Sequence, residues 1–188
     1  LDARLRAAAW ANDVGAARQL IERGADVNAK DDTVQSAYLI ATSEGRLELL
    51  RLTLTHGANV HDLDSWVGTG LIRAAERGHW DVVGELIQAG IPLDHVNRIG
   101  YQAIHEAVWL GRDDPTYHTT VRVLVAGAVQ KGMKVLVASP RRAALDDVVT
   151  RLSAIGMGEP LALVHDPWRD RNPLCNAIAE SVDPIVTD

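Results

Sequence analysis

Apolar residues in the first two-thirds of the chain fall in short clusters with helical spacing. Leu5, Ala8 and Ala9 form one cluster, followed by Ala16, Ala17, Leu20 and Ile21. Tyr38 and Ala41 precede Leu49, Leu50 and Leu52, and Leu71, Ala74 and Ala75 precede Val82, Val83, Leu86 and Ile87. Residues spaced i, i+1, i+4, i+5 share one face of an α-helix, so each pair of clusters predicts two short amphipathic helices. Asn12, Gly45 and Gly78 stand between the members of each pair, and Gly24, Gly57 and Gly90 follow the second members. Gly takes left-handed backbone most easily and Asn next, so these positions predict a tight turn and a helix stop. Each unit reads helix, turn, helix, glycine stop, extended stretch.

The units recur at a fixed interval. Gly24-Ala25-Asp26-Val27-Asn28, Gly57-Ala58-Asn59-Val60-His61 and Gly90-Ile91-Pro92-Leu93-Asp94 begin 33 residues apart, and Gly111 lies 33 beyond Gly78. A helix pair of this size cannot bury its apolar face alone, so a regular series predicts stacked neighbours sharing one core. The period, with Gly-Ala-Asp-Val-Asn after the second helix and Ala74-Ala75-Glu76-Arg77-Gly78-His79 followed by Asp81-Val82-Val83, resembles the ankyrin repeat. The resemblance covers about residues 1–128 and implies a mainly α fold: an ankyrin-repeat solenoid of about four helix-turn-helix repeats, near 1–30, 31–63, 64–96 and 97–128.

Departures from the family pattern are clear. Its Thr-Pro-Leu-His segment is degraded to Ser36-Ala37-Tyr38-Leu39, Thr69-Gly70-Leu71-Ile72 and Gln102-Ala103-Ile104-His105. Only the last keeps the His, which implies that His105 stabilises its hairpin; His79 matches a family position and implies bonding within its turn. The fourth unit carries four extra residues, which the sequence places in a lengthened polar turn at 112–118, with Gly111 as the turn glycine.

The resemblance also implies that partners bind hairpin tips and the concave face of first helices. The tip positions outside the structural skeleton are Lys30, Asp32, Thr33 and Gln35; Leu63, Ser65, Trp66 and Gly68; and Val96, Arg98, Ile99 and Tyr101. At the first-helix ends they are Trp10 and Ala11, Ser43 and Glu44, Glu76 and Arg77, and Trp109 and Leu110. Three of the five tryptophans fall in this set. Trp, Tyr and Arg are frequent interface anchors, which favours a contact surface; packing on neighbouring repeats is the competing reading of each ring.

Charge narrows the partner class. The chain of 188 residues carries a net charge of −6, and residues 1–128 hold twelve Lys and Arg against seventeen Asp and Glu. Nucleic-acid binding relies on clustered positive charge, so the expected partner is a protein. Cys175 is the single cysteine, which rules out an intrachain disulfide and fits a reducing, cytoplasmic setting. No apolar run is long enough to span a membrane, and no leader is visible, although one removed before Leu1 stays an alternative. His61 and His95 occupy near-equivalent tip positions, but zinc needs further ligands. The expectation is a monomeric interaction module with no catalytic residues, no metal and no cofactor.

The texture changes after Gly127. Met133-Lys134-Val135-Leu136-Val137-Ala138 reads as a strand, Ser139-Pro140 as a helix start, Ala143 to Ile155 as an amphipathic helix and Leu161-Ala162-Leu163-Val164 as a second strand. Residues 134–152 resemble one segment of superfamily 1 helicases, which there contacts single-stranded nucleic acid. No Gly-x-x-x-x-Gly-Lys-Ser/Thr loop accompanies it, so an active ATPase is rejected. Three readings of residues 129–188 stand open: an α/β piece from an inactive helicase-like enzyme joined to the repeats, a degenerate capping repeat, or a junction. The first predicts a basic strip at Lys131, Lys134, Arg141, Arg142 and Arg151.

Overall fold

The computed structural model describes residues 1–111, 114–133 and Thr150. Apart from Met133 and Thr150, the strands and the helix 143–155 expected after Gly127 lie outside the described residues, as does the basic strip apart from Lys131. Chain contacts divide the protein into two compact units, Leu1–Ala128 and Val129–Asp188. The first is built from helices; among the described residues there is no strand, only an isolated bridge between Leu63 and Thr69.

The predicted helix pairs are present: α1 (Asp2–Trp10) with α2 (Val14–Glu22), α3 (Ala37–Ser43) with α4 (Leu47–Thr55), and α5 (Gly70–Glu76) with α6 (Trp80–Gln88). A fourth pair comprises α7 (Ala103–Leu110) and α8 (Pro115–Gln130). First helices stack in the order α1, α3, α5, α7, and second helices α2, α4 and α6 stack alongside. Leu5, Ala9, Ala17, Tyr38, Leu49, Leu50, Leu71, Val82, Val83 and Leu86 are buried in one continuous core. Ala16 and Ile87, from the same predicted faces, are only half-buried at its edge.

The turns follow from local backbone chemistry. Asn12, Gly45 and Gly78 all take positive φ, as do Gly24, Gly57 and Gly90. Gly45 meets a second demand: a Cβ there would lie 2.6 Å from His79 Nδ1 in the next repeat. The His79 backbone N–H closes its own turn on the Ala74 carbonyl at 2.9 Å, but its ring does not bond there. Its Nε2 lies 3.1 Å from the Ser43 carbonyl, so the ring fastens α6 to the repeat before it. Burial pushes the His79 pKa down, against the Ser43 carbonyl, which favours the protonated ring.

Helix starts keep the capping part of the degraded motif. Ser36 Oγ accepts from Leu39 N at 3.2 Å and Thr69 Oγ1 from Ile72 N at 3.4 Å. A hydroxyl at this place satisfies an orphan N–H of the first turn. In the fourth unit His105 Nδ1 accepts the Gln102 N–H at 3.1 Å. Tyr38 replaces an aliphatic residue in the core, and its hydroxyl lies 3.4 Å from the Val60 carbonyl. Burial, then the nearby Asp62 charge, raises its pKa far above the usual tyrosine value.

The fourth repeat departs from expectation. Gly111 has φ −59° and ψ 112°, so it is not a left-handed turn residue like Gly45 and Gly78. Thr116, Tyr117 and His118, expected in a lengthened polar turn, lie inside α8 instead. Asp114-Pro115 supplies the reason. Asp114 Oδ1 accepts from Thr116 N at 2.8 Å and Thr116 Oγ1 at 2.7 Å, and Pro suits the first helical position. α8 therefore begins at Pro115, within the stretch expected to be turn. Tyr117 donates its hydroxyl to the Glu76 carbonyl at 3.0 Å, tying α8 to the third repeat.

Candidate functional site

The hairpin tips are built on a repeated side-chain lock. Asp31, Asp64 and Asn97 stand 33 residues apart. Asp31 Oδ1 accepts from Thr33 N at 2.9 Å and Gln35 N at 3.0 Å. Asp64 Oδ1 accepts from Trp66 N at 2.7 Å and Gly68 N at 2.8 Å, and Asn97 Oδ1 from Ile99 N at 3.2 Å and Tyr101 N at 2.9 Å. One oxygen thus holds two backbone donors across each tip, the usual role of Asx in turns. The Thr33 hydroxyl, then the Gln35 N–H, hold the Asp31 carboxyl below its ordinary range. The residue three beyond each lock has positive φ: Val34 at 63°, Val67 at 61° and Gly100 at 92°. Only the last suits that conformation; a β-branched residue there is strained.

Between the tips and the first helices lies an open groove of about 240 Å³. It is lined by Trp10, Gln35, Leu39, Ser43, Ser65, Trp66, Arg73 and Arg77. The groove brings together Gln35, Ser65, Trp66 and Arg77 from the expected binding set, with Trp10 and Ser43 from the first-helix ends. Leu39 and Arg73 were not expected. Arg73 lies one helical turn before Arg77, so i, i+4 spacing is the signal that could have found it.

The guanidinium groups are anchored from neighbouring elements. Arg77 Nη1 donates to the Ser43 carbonyl at 3.0 Å and to the Glu44 carboxylate. Arg73 donates Nε to Asp64 and Nη1 to Glu76, the latter at 2.6 Å. Asp64 is only 2% exposed on its side chain, so its charge is neutralised almost entirely by Arg73 and the tip amides. Burial opposes the Arg73 charge, but Asp64 and Glu76 prevail and raise its pKa.

The remaining expected residues divide by exposure. Lys30 Nζ reaches the Leu63 carbonyl at 2.8 Å and Asp62 at 2.5 Å, so it links adjacent tips. Thr33 is bonded into the Asp31 lock, and Glu76 into the Arg73 pair. Asp32 is exposed with no bond inside the described protein. Trp66 is 53% exposed, and the Arg98 guanidinium sits 6.0 Å from its ring centre. Val96 and Ile99 are exposed on the next tip, while Tyr101 stacks on His105 with ring centres 6.0 Å apart. Trp109 is 75% exposed and Leu110 is exposed beside it, both on the fourth repeat and outside the groove.

His95 Nε2 lies 2.7 Å from the Val67 carbonyl, bracing the second tip rather than meeting His61. Among the described residues no group of three or more His, Cys, Asp or Glu is placed to hold a metal ion. Among them also, no helix is long and apolar enough to cross a membrane.

Comparison with known proteins agrees with this architecture. The family model for ankyrin repeats in three copies matches residues 38–135, and the single ankyrin-repeat model matches residues 5–32. The chain is 31% identical over 107 residues to the putative ankyrin repeat protein YahD of Escherichia coli K12, covering 56% of this chain and 53% of that protein. It is 31% identical over 98 residues to human ankyrin repeat domain-containing protein 63, covering 50% of this chain and 26% of that protein. The matched region thus spans about half of one relative and a quarter of the other. With its helix pairs, positive-φ turns and stacked core all in one register, the chain belongs to the ankyrin-repeat family.

Proposed function

We propose that the chain is a protein-interaction module, without catalytic function, whose repeats bind a protein partner through the hairpin tips and the concave face of the first helices. The observation that carries this reading is the groove between Trp10 and Trp66. Two large aromatic side chains stand exposed around guanidinium groups fixed by ion pairs. Exposed aromatic and Arg side chains on a rigid frame lose little freedom on binding and bury much area, which makes them effective anchors. The apolar tip residues Val96 and Ile99, and Trp109 and Leu110 beyond, extend the surface. In this reading the module acts as a monomer in the cytoplasm, and residues 129–188 form a separate segment from the repeats.

The test is affinity capture from the native cytoplasm with the full chain and with a variant carrying Trp66→Ala and Tyr101→Ala. The expected outcome is a specific partner lost with the variant, at unchanged circular dichroism and nearly unchanged melting temperature. Equal capture by both proteins, or unfolding of the variant, removes the tips from the binding surface.

A further inference from the structure

This inference rests on the reading that the groove binds a protein, and it concerns the chemistry of the bound segment. The groove lining contains two guanidinium groups and no carboxylate. Glu44, Asp64 and Glu76 hold these groups without lining the groove themselves. A guanidinium carries five N–H donors in a planar fork. Arg77 uses only Nη1 for its bonds to Ser43 and Glu44, and Arg73 uses Nε and Nη1. Within the described protein, Nε and Nη2 of Arg77 and Nη2 of Arg73 are therefore left unbonded. The Arg77 side chain is 46% exposed, so its spare edge is reachable.

Two parallel N–H groups on one guanidinium edge match the two oxygens of a carboxylate. The half-exposed indoles of Trp10 and Trp66 line the same groove as Arg77 and supply apolar surface to it. We propose that the groove receives one Asp or Glu of an extended, otherwise apolar segment of a protein partner. The acid sits on the spare edge of Arg77 with Arg73 beside it, and its apolar neighbours lie against Trp10 and Trp66.

Charge limits the segment to a single acid. Residues 1–128 carry an excess of Asp and Glu over Lys and Arg, so the field of the repeats repels an acidic tract. The carboxylates behind the guanidinium groups also offset their charge. Recognition therefore comes from donor geometry at contact range, and a lone carboxylate flanked by apolar residues satisfies both conditions.

The experiment uses the full chain as bait for phage-displayed random 12-residue peptides, followed by fluorescence anisotropy with synthetic copies of the selected peptides. Selected peptides should share one Asp or Glu next to Leu or aromatic residues. Changing that acid to Asn or Gln should weaken binding roughly ten- to a hundredfold, the usual range for losing hydrogen bonds to a charged group. Arg77→Lys keeps the charge but removes the planar fork, and should weaken binding about tenfold with only a small drop in melting temperature, because the tie to Ser43 and Glu44 is partly exposed. Peptides that bind with no acid, with basic residues, or equally well to the Arg77→Lys chain overturn the inference but leave an interaction module standing. Tighter binding of a phosphoserine peptide at the acid position also overturns it, because the site then takes a phosphate. If no peptide is selected, the inference is overturned, while the interaction reading is decided by the affinity capture alone.

Discussion

The tips of the third and fourth repeats make the same link with opposite chemistry. In both, Oδ1 of the lock residue accepts two backbone N–H groups across the tip. That leaves one side-chain atom free to meet the helix nine residues on. In the third repeat this atom is Asp64 Oδ2, an acceptor, and it meets the Arg73 guanidinium. In the fourth it is Asn97 Nδ2, a donor, and it meets Glu106 Oε1 at 2.9 Å. Glu106 occupies the register position of Arg73 and is itself buried. The comparison teaches that the register preserves a geometric role. The sign of the helix residue follows from whether the lock is Asp or Asn, because a buried polar atom must find a complementary partner.

The comparison breaks most directly at residue 73. Arg73→Glu places a second carboxylate against buried Asp64 and should lower stability by about 3–5 kcal/mol, the range for breaking a buried ion pair. Adding Asp64→Asn rebuilds the fourth-repeat pair and should recover most of that loss in urea unfolding. Strictly additive effects would show that the two links are not equivalent. The next test concerns the strained tip position, which is Val67 in the third repeat and Gly100 in the fourth. Gly100→Val should lower stability by about 1–3 kcal/mol, the cost of a disfavoured backbone region. Val67→Gly should raise stability by about 1 kcal/mol after the chain entropy of glycine is offset, read as a higher melting midpoint. A melting midpoint that falls in Val67→Gly would mean that the valine side chain contributes more than its strain removes.

A smaller effect separates the inter-repeat histidine from the fourth unit, where His105 caps its own helix. The folded His79 pKa lies below its ordinary value, so the unfolded chain takes up its proton first as pH falls. The stability contribution is present above about pH 6.5 and is lost as pH falls through the folded value. His79→Gln should flatten that part of the stability profile between neutral pH and pH 5, read by chemical denaturation at each pH. The smallest stability effect belongs to Trp66→Ala. The ring is exposed, so stability should stay within about 0.5 kcal/mol while partner binding falls.

Much of the repeat architecture was legible because it is local. Turn positions 12, 45 and 78 announced themselves as Asn or Gly, since few other residues accept positive φ. Gly111 misled because glycine marks several distinct demands. There a Cβ would approach the Ala107 carbonyl oxygen to 2.1 Å, so glycine serves a close approach instead of a left-handed turn. The strain at Val34 and Val67 had no sequence signal, since valine reads as extended backbone. Within the groove, Trp66 and Arg77 were visible as variable positions. Arg73 carried only its i, i+4 spacing from Arg77, while its tie to Asp64 across the tip had no local signal.

The sequence alone determined the period, the helix pairs and the core faces, because each depends on residues within one or two helical turns. Tertiary structure decided which polar groups are spent on the frame and which stay free. Lys30 reaches Leu63, His79 reaches Ser43, and Arg77 reaches Glu44 across separations of 33, 36 and 33 residues. Those contacts require one repeat to be set against the next within a few tenths of an ångström, and only close packing of the shared core fixes that offset. The same packing ties Lys30 to the next tip, and leaves Nε and Nη2 of Arg77 unbonded within the described protein.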